Sequence, residues 1–347
     1  MLHIKTGKGN AEMVKKLLVK LNIFDRHNSV QQDKNFVYFP VNINNNDKLN
    51  IKKLLEKNGS KIIDMPGLEN RNNTDRTSFD ALRKKINTNS YDVLGNIAIV
   101  EIREPGIKKE EITDFANHIM KINKSIKTIL MKEGPVEGIY RIRKVGYIAG
   151  KKTYIARYIE NHCLFTFDVR KTFFSVRLSY ERTRIMKQVK EGENIVVMFA
   201  GIGPFAIEIA KAKPHTDIIA IEINPYAYKQ MVYNIKINKT GNVIPILGDV
   251  KKVYIKFKGF ADRIVMPLPK ISTDFLDEVL FVAKNECIVH MYSFVDIDNF
   301  DSVIDKIKKH AKENGYKVLI LFKRKVRGYS VKEEEIVIDY KIIKHKR

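Results

Sequence analysis

The sequence predicts an α/β protein in which two small α+β domains precede a C-terminal, Rossmann-like domain with a doubly wound sheet. Beyond Phe173, short apolar runs alternate with helical periods, which is the pattern of parallel strands joined by crossover helices. The last two extended runs have no helical pattern between them, so we expect them to pair antiparallel at the sheet edge. A polar, Asn-rich stretch at residues 65–89 separates a first small module from the rest of the chain.

Residues 1–64 predict a small α/β module, and residues 65–89 predict a linker. In the module, apolar residues alternate with polar ones in some runs and recur at helical spacing in others. The predicted elements are a strand at His3 to Thr6, a helix at Ala11 to Leu21, a strand at Phe36 to Val41, a helix at Leu49 to Lys57 and a strand at Lys61 to Asp64. The linker has only one short helical pattern, so we expect a domain boundary there.

Residues 90–168 predict a second α+β domain. Its predicted elements are a strand at Val93 to Ile102, a helix at Lys109 to Met120, a strand at Ile126 to Met131, a hairpin through Ile139 to Ile148 and an extended stretch from Tyr154 to Val169.

Residues 169–347 predict the C-terminal domain. A helix at Ser179 to Gln188 leads into it. Parallel strands are predicted at Ile195 to Phe199, Ile218 to Ile223, Val243 to Leu247, Arg263 to Met266 and Cys287 to Tyr292. The runs Tyr316 to Phe322 and Glu335 to Asp339 complete a seven-stranded sheet as its antiparallel edge pair.

The charge balance indicates a polyanionic partner. The 347 residues include 63 Lys and Arg against 40 Asp and Glu, which gives a formal net charge of +23. A thermophile surface would enrich acidic and basic residues together and leave the net charge near zero. We therefore favour nucleic acid as the partner.

Other sequence features argue against a membrane or metal role. No run of 18 apolar residues is present, and Met1 does not lead into a signal peptide. We expect a soluble, cytoplasmic protein without a membrane partner. Cys163 and Cys287 lie far apart, without a CxxC pair or clustered histidines, so we interpret both as core residues and expect no metal and no disulfide.

A glycine-rich turn follows the first predicted strand of the C-terminal domain. The strand leads into Ala200-Gly201-Ile202-Gly203-Pro204, after which Ala206 to Ala212 predicts a helix. Gly201 and Gly203 allow a tight turn and close approach to a ligand, and Pro204 suits the first helical turn. The same residues also fit the dinucleotide pattern GxGxxA, so this turn alone does not identify the ligand.

Later strand ends favour S-adenosyl-L-methionine (AdoMet) over nicotinamide or flavin. Glu222 ends the next strand, where a carboxylate can accept hydrogen bonds from ribose hydroxyls of either ligand class. Asp249 closes the third strand, where methyltransferases commonly hold the adenine amino group. The antiparallel edge pair is a typical methyltransferase sheet ending.

Four segments together resemble the archaeal and eukaryotic tRNA (guanine-37 N1)-methyltransferases. They are FFSVRLSYER at 173–182, MFAGIGPF at 198–205, IEINP at 221–225 and MPLPK at 266–270. The match extends upstream to Tyr140-Arg141-Ile142-Arg143 and covers roughly residues 90–347. The resemblance implies a class I AdoMet methyltransferase domain at 169–347, an RNA-recognition domain at 90–168 and an archaeal tRNA-contacting module at 1–64.

Two positions depart from the family pattern. Val197 stands where many members carry an acidic residue, so Glu222 must carry more of the polar recognition of the cofactor. Pro267-Leu268-Pro269 replaces Asn-Leu-Pro, whose Asn helps hold the target guanine. This replacement is similar to the sequence of the archaeal subgroup that also methylates position 7 of 4-demethylwyosine. We hypothesise that a less polar base-binding site accepts the bulkier tricyclic base.

The resemblance also implies residue roles. Guanine N1 carries a proton at neutral pH, so its methylation needs a base and a positive group near O6. The implied catalytic residues are Glu181 as the base and Arg141 as the group that stabilises O6. The implied cofactor-binding residues are Phe199, Gly201, Gly203, Glu222, Asp249 and Pro267, and the implied substrate-binding residues are Phe173, Arg177, Arg143 and Pro269.

Simpler interpretations stand beside these roles. Glu181 lies on a predicted helix among several arginines, where an i,i+4 ion pair would also explain it. Arg141 and Arg143 alternate with apolar residues on a strand and fit a solvated face or a phosphate clamp equally well. Pro267 and Pro269 also fit the end of a strand.

The target and the rival functions complete the expectations. Because N1 lies on the Watson–Crick edge, the base must be unpaired or flipped, which favours the anticodon loop of tRNA as partner of a monomeric enzyme. One rival is the related wyosine-pathway enzyme that transfers the aminocarboxypropyl arm of AdoMet. The other is a non-catalytic tRNA-binding protein that has the fold without the chemistry.

Overall fold

The computed structural model forms two compact units, Met1–Asn87 and Thr88–Arg347. It describes residues 2–25, 28–43, 48–56, 58–65, 82–86, 88, 91–104, 106–268, 270–297, 299–328, 330 and 332–345. The predicted linker at 65–89 falls largely outside the described residues, apart from a helical turn, α3, at 82–85.

Besides α3, the described part of the first unit contains a four-stranded sheet in the order β2-β3-β1-β4 and two α-helices. Its elements are β1 (Leu2–Gly7), α1 (Ala11–Lys20), β2 (Gln31–Gln32), β3 (Phe36–Pro40), α2 (Lys48–Glu56) and β4 (Lys61–Asp64). Ile4 of β1, Leu18 of α1 and Phe39 of β3 are buried in one core. The strands and helices predicted for this part of the chain are present, and β2 is a short additional edge strand.

The second unit begins with a four-stranded sheet in the order β5-β6-β7-β8 and a separate antiparallel pair, β9 and β10. The elements are β5 (Tyr91–Leu94), β6 (Ile97–Val100), α4 (Lys109–Ile122), β7 (Thr128–Glu137), β8 (Ile142–Gly150), β9 (Ile155–Glu160) and β10 (Cys163–Asp168). The helix prediction is confirmed. The hairpin expected within Ile139 to Ile148 is instead formed by β7 and β8, and residues 138–141 are its turn.

The prediction of a single strand at Val93 to Ile102 is wrong, because the chain reverses direction at Gly95. Gly95 has φ +62°, and a Cβ there would lie 1.8 Å from the carbonyl oxygen of Arg157. β5 and β6 are therefore an antiparallel hairpin that packs its turn directly against the backbone of β9. Continuous apolar character on both sides of the glycine concealed the turn.

The rest of the second unit is built on a seven-stranded sheet in the order β13-β12-β11-β14-β15-β17-β16. Its strands are β11 (Asn194–Met198), β12 (Asp217–Glu222), β13 (Val243–Leu247), β14 (Ala261–Met266), β15 (Ala283–Asp296), β16 (Tyr316–Gly328) and β17 (Glu333–Lys344). β11 to β15 are parallel, and β17 is antiparallel to both β15 and β16. The predicted class I methyltransferase sheet with its antiparallel edge pair is confirmed.

Helices cover both faces of this sheet. They are α5 (Ser179–Gln188), α6 (Pro204–Ala212), α7 (Pro225–Asn238), α8 (Val250–Val253), α9 (Leu276–Val282) and α10 (Phe300–Glu313). Successive residues of a strand point to opposite faces, so Val196 of β11 packs with α9 and α10 while Val197 packs with α5, α6 and α7. Val197 is thus a core residue here.

Two further expectations concern the cysteines and membrane spans. Cys163 and Cys287 are buried free thiols, as expected of core residues. Within the part of the chain that the structure describes, no helix combines the length and apolar character needed to cross a membrane.

Candidate active site

A cavity of about 610 Å³ lies at the carboxyl ends of the parallel strands of the second unit. Four of the strand ends contribute to its wall: Gly201 follows β11, Glu222 ends β12, Asp249 follows β13 and Pro267 follows β14. Ligands of open α/β sheets bind in this position, outside the carboxyl ends of the strands. The cavity is therefore the candidate active site.

The turn after β11 has the geometry that its glycines predict. Phe199, Gly201 and Gly203 all adopt positive φ, at 59°, 60° and 88°. Phe199 and Gly201 line the cavity, and the Phe199 ring packs edge-on against Phe275 with centroids 4.8 Å apart. Gly203 is the N-cap of α6 and does not line the cavity; a Cβ there would lie 2.9 Å from Met231 Cγ. A glycine at position 203 is thus explained by its positive φ and by the close packing of Met231 against it.

Glu222 connects the two backbone segments that flank the cavity. Its Oε2 accepts a hydrogen bond from the Gly201 N–H at 2.6 Å, and its Oε1 accepts one from the Asn224 N–H at 2.7 Å. The residue is only 8% exposed, and this burial raises the pKa of its carboxyl group against the opposing effect of the backbone N–H groups of Asn224, Gly201 and Ile223. Each oxygen retains a lone pair for a ligand hydroxyl.

Asp249 and apolar neighbours form the part of the cavity beside β12 and β13. Asp249 caps α8 by accepting the Lys251 N–H at 3.0 Å through Oδ1. Ile223, Val250 and Phe275 add apolar wall. AdoMet carries a ribose diol, an exocyclic amino group and apolar ring surface. Glu222 can accept hydrogen bonds from the diol, Asp249 can accept one from the amino group, and the apolar wall can pack against the ring. The residues present therefore fit that cofactor.

Arg141 and Phe173 form a second part of the cavity wall. The Arg141 guanidinium lies over the Phe173 ring, with Cζ 5.0 Å from the centroid. Arg141 has φ +52° in the turn between β7 and β8, which projects it toward the cavity instead of leaving it on a strand face. Pro267 and Leu178 line the same cavity.

Arg143 and Arg177 do not line the cavity. Both bind Asp92 of β5: Arg143 Nη1 lies 3.4 Å from Oδ2, and Arg177 Nη2 lies 3.0 Å from Oδ1. They tie the β5–β8 sheet to the segment before α5. Pro269 lies outside the described residues.

Glu181 lies on α5 behind the cavity wall. It is 1% exposed, and its Oε2 accepts hydrogen bonds from Tyr292 Oη and from Arg184 Nε, each at 3.0 Å. No described residue hydrogen-bonds to Oε1, and the guanidinium of Arg324 is 3.6 Å away. The ion pair with Arg184 has i,i+3 spacing, close to the simpler interpretation of this glutamate.

A buried ionic network continues from Glu181 through the sheet. Arg184 forms a bidentate pair with Asp339 of β17, and Asp339 Oδ1 lies 2.8 Å from His290 Nδ1. Burial raises the pKa of Asp339, but the hydrogen bonds from His290 and Arg184 outweigh it and lower that pKa to about 2. Arg184 is thereby held beside Glu181 by a permanent anion.

Sequence reasoning missed several charged residues of the cavity wall, and two of them form an ion pair with each other. Glu335 of β17 and Arg327 of β16 both line the cavity, and Arg327 Nε donates to Glu335 Oε2 at 2.5 Å. The period-two alternation of β17 places Glu335 on the same sheet face as Val337 and Asp339, which is the available signal. Among the described residues, no group of His, Cys, Asp and Glu side chains could hold a metal ion.

Three family models match the chain. The TRM5/TYW2 methyltransferase domain matches residues 156–319, the TYW2 N-terminal domain matches residues 80–153, and the tRNA methyltransferase 5 N-terminal domain matches residues 4–49. Together they cover most of both units.

Curated relatives match over most of their length. The tRNA (guanine(37)-N(1))-methyltransferase Trm5b of Pyrococcus abyssi is 34% identical over 349 residues, which covers 98% of this chain and 99% of that protein. The tRNA (guanine(37)-N(1))/4-demethylwyosine(37)-methyltransferase Taw22 of Nanoarchaeum equitans is 31% identical and covers 63% of this chain and 88% of its own.

Solved structures agree with these matches. The complex of aTrm5 with tRNALeu superposes with a TM-score of 0.77 at 28% identity, covering 98% of this chain and 99% of that one. Methanocaldococcus jannaschii TYW2 in complex with AdoMet superposes with a TM-score of 0.59 at 29% identity, covering 74% of this chain and 100% of that one.

Proposed function

Because the chain belongs to the TRM5/TYW2 methyltransferase family, we propose that it transfers the methyl group of AdoMet to N1 of guanosine 37 in tRNA. One observation carries the proposal: a single cavity combines Gly201, Glu222 and Asp249 with the guanidinium of Arg141. Groups suited to the cofactor and a group suited to the base thus line the same cavity. The similarity to guanine-37 N1-methyltransferases along nearly the whole chain supports the same reaction.

AdoMet is the methyl donor of this family, and when bound it supplies an electrophilic methyl group on a sulfonium. Glu222 would accept hydrogen bonds from the ribose hydroxyls, since both of its oxygens already face backbone N–H groups and are fixed in place. Asp249 would accept one from the adenine amino group. Gly201 allows the backbone to approach the ligand without a side chain in between.

Glu181 is the proposed proton acceptor and Arg141 the proposed partner of O6. When guanine N1 takes up the methyl group that bound AdoMet would supply, Glu181 would accept the proton that N1 loses. Arg141 meanwhile stabilises the negative charge that develops on O6. Leu178, which lines the cavity, lies three residues before Glu181, so the carboxylate sits one helical turn behind the wall. Catalytic hydrogen bonds of a base often tighten only in the substrate complex.

The proposed RNA contacts follow from charge and access. The net charge of +23 supports binding to phosphates, and a base beside the anticodon is accessible at its Watson–Crick edge when unpaired or flipped. We propose that residues 1–64 contact tRNA away from the anticodon loop. The match of residues 4–49 to the tRNA methyltransferase 5 N-terminal domain supports this role.

A transfer assay tests the proposal. Wild-type protein, AdoMet labelled in the methyl group and a tRNA transcript with guanosine 37 are expected to yield labelled tRNA. A matched transcript with adenosine 37 is expected to remain unlabelled, because adenine has no N1 proton and no O6. Equal labelling of the two transcripts would contradict the assignment of guanosine 37.

Methylation of position 7 of 4-demethylwyosine is a second candidate activity. Pro267 lies on the cavity wall without a hydrogen-bond donor, where the family commonly has Asn. The similarity to a bifunctional relative from Nanoarchaeum equitans supports the same direction. A transcript that carries 4-demethylwyosine is expected to gain one methyl group. Gain of an aminocarboxypropyl group would instead support the rival transferase reaction.

A further inference from the structure

The strands β15, β17 and β16 extend beyond the carboxyl end of the parallel sheet. The last pair between β14 and β15 is Met266 with Met291, whereas β15 continues to pair with β17 as far as Asp296. Phe294, the partner of Glu335, therefore lies about 10 Å beyond Met291 at ~3.3 Å per residue. This extension carries Glu335 and its cross-strand partner Arg327 to the cavity wall.

The position across the sheet separates this wall from the cofactor groups. Gly201, Glu222 and Asp249 belong to the ends of β11, β12 and β13, while β14 with Pro267 lies between them and β15. Glu335 lies on the far side of β14. It therefore lines the part of the cavity that lies across β14 from the proposed cofactor groups, which is the part left for the target base.

The Glu335 carboxylate is paired with Arg327 and can accept a further hydrogen bond. The residue is 1% exposed, and Arg327 Nε donates to its Oε2 at 2.5 Å. Among the described residues, the buried side-chain atoms that lack a hydrogen-bond partner do not include its Oε1, so this oxygen is open to the cavity that Glu335 lines. A carboxylate oxygen can only accept hydrogen bonds, so one that opens onto a cavity is matched best by a ligand that supplies an N–H.

Guanine supplies such a donor. Its Watson–Crick edge presents O6 as an acceptor and the N1 and N2 groups as donors. Arg141 matches O6 and Glu181 takes the N1 proton in the proposed function, on which this inference rests. The exocyclic N2 amino group still lacks an acceptor. We propose that Glu335, held by Arg327, accepts a hydrogen bond from that amino group and determines the selection of guanine.

Inosine at position 37 tests the proposal, because it keeps O6 and the N1 proton and lacks only the N2 amino group. In single-turnover assays, the wild-type protein is expected to methylate the inosine 37 transcript about 10- to 100-fold more slowly than the guanosine 37 transcript. This comparison needs no protein variant. Equal rates on the two transcripts would overturn the proposal.

The variant Glu335→Gln tests whether the rate difference between the two transcripts depends on Glu335. Arg327 can only donate, so it turns the amide oxygen of the variant toward itself and presents the amide NH₂ to the N2 amino group. The variant is expected to lose about 10- to 100-fold on guanosine 37 with little change on inosine 37, at unchanged AdoMet affinity. Equal losses on the two transcripts would overturn the proposal.

Glu334→Gln is the matched control. Glu334 is buried on the same strand and paired with Lys325 at 2.6 Å, but does not line the cavity. It is expected to leave the ratio of the two rates unchanged, and a change as large as that of Glu335→Gln would overturn the assignment to Glu335. No product from the wild-type protein with guanosine 37 would instead overturn the proposed function itself.

Discussion

At the scale of single residues, Glu222 links recognition of the cofactor to the shape of the turn after β11. Glu222→Ala removes the acceptor of the Gly201 and Asn224 N–H groups together with the proposed partner of the ribose. We expect the Kd for AdoMet, measured by titration calorimetry, to rise about 10- to 100-fold. Asp217→Asn, at the exposed start of the same strand, is the control and should leave the Kd unchanged. An unchanged Kd in Glu222→Ala would argue against the proposed ribose contact.

Glu181→Gln tests the proposed base. The amide keeps the size of the side chain but cannot take the N1 proton, so the single-turnover methylation rate should fall about 10²- to 10⁴-fold. The affinities for AdoMet and tRNA should stay within about twofold of wild type, because Glu181 lies behind the cavity wall.

Tyr292→Phe provides a graded comparison for Glu181. It removes one hydrogen-bond donor to Oε2 and keeps the carboxylate, so we expect a loss of less than about tenfold. A rate in Glu181→Gln no lower than in Tyr292→Phe would mean that another group accepts the proton.

Strand-end motifs made part of the site predictable from sequence. Residues directly after parallel strands meet at one sheet edge whatever the details of packing, which is why Gly201, Glu222 and Asp249 share a cavity. Glu335 could not be found this way, because its position depends on the register and length of an antiparallel pair. Arg177 was predicted to bind the substrate. It forms an ion pair with Asp92, which is 85 residues away in sequence, and its contact with the substrate stays a prediction.

At the scale of elements, a buried ionic cluster connects α5 and α6 with the β9–β10 pair. Arg182 of α5 forms a bidentate pair with Glu160 of β9, and Glu208 of α6 lies 3.3 Å from the same guanidinium. Burial raises the pKa of Glu208 to about 8; the positive charge of Arg182 opposes this rise, and the negative charge of Glu160 adds to it.

The raised pKa gives a pH-dependent prediction for Glu208→Gln. In the wild type, the protonated carboxyl group of the folded state contributes stability that is full below the ordinary pKa of 4.5 and is lost as pH rises to about 8. The variant has no such loss. Its free energy of unfolding relative to wild type should therefore increase from about pH 5 to about pH 9 in urea titrations.

Glu313→Gln, at the exposed end of α10, is the control for this titration series. Its stability difference from wild type should not change with pH in the same window. A pH-independent difference in Glu208→Gln would show that Glu208 remains ionised in the folded protein.

Helices were easier to predict than strand ends. The helical period identified α5 at its observed bounds, Ser179–Gln188. β15, β16 and β17 are longer than predicted because polar and charged side chains, such as those of residues 323–327, interrupt the apolar alternation. Those residues continue the strands through cross-strand ion pairs, for example Lys325 with Glu334, which apolar periodicity does not detect.

At the scale of the whole molecule, the two compact units have separable expected roles. Removal of residues 1–87, the first unit, should leave the Kd for AdoMet unchanged, because every residue that lines the cavity belongs to the second unit. The affinity for tRNA should fall about tenfold or more, with a shallower dependence on salt concentration, because phosphate contacts are lost. Unchanged tRNA affinity and salt slope would contradict a tRNA contact by this unit.

Net charge and fold class were predictable at this scale because both follow from the sequence as a whole. The β/α alternation requires a parallel sheet, and the excess of 23 positive charges requires a polyanion or a matching counterion layer. Which atom of the nucleic acid receives the methyl group does not follow from either property. That choice depends on a few side chains around one cavity.

The most direct measurement is nucleoside mass spectrometry of a guanosine 37 tRNA transcript after incubation with the wild-type protein and AdoMet. We expect a single new nucleoside that co-elutes with authentic 1-methylguanosine and maps to position 37. An aminocarboxypropyl product, a methyl group on another atom, or tight tRNA binding without any product would contradict N1-methylation of guanosine 37 by this protein.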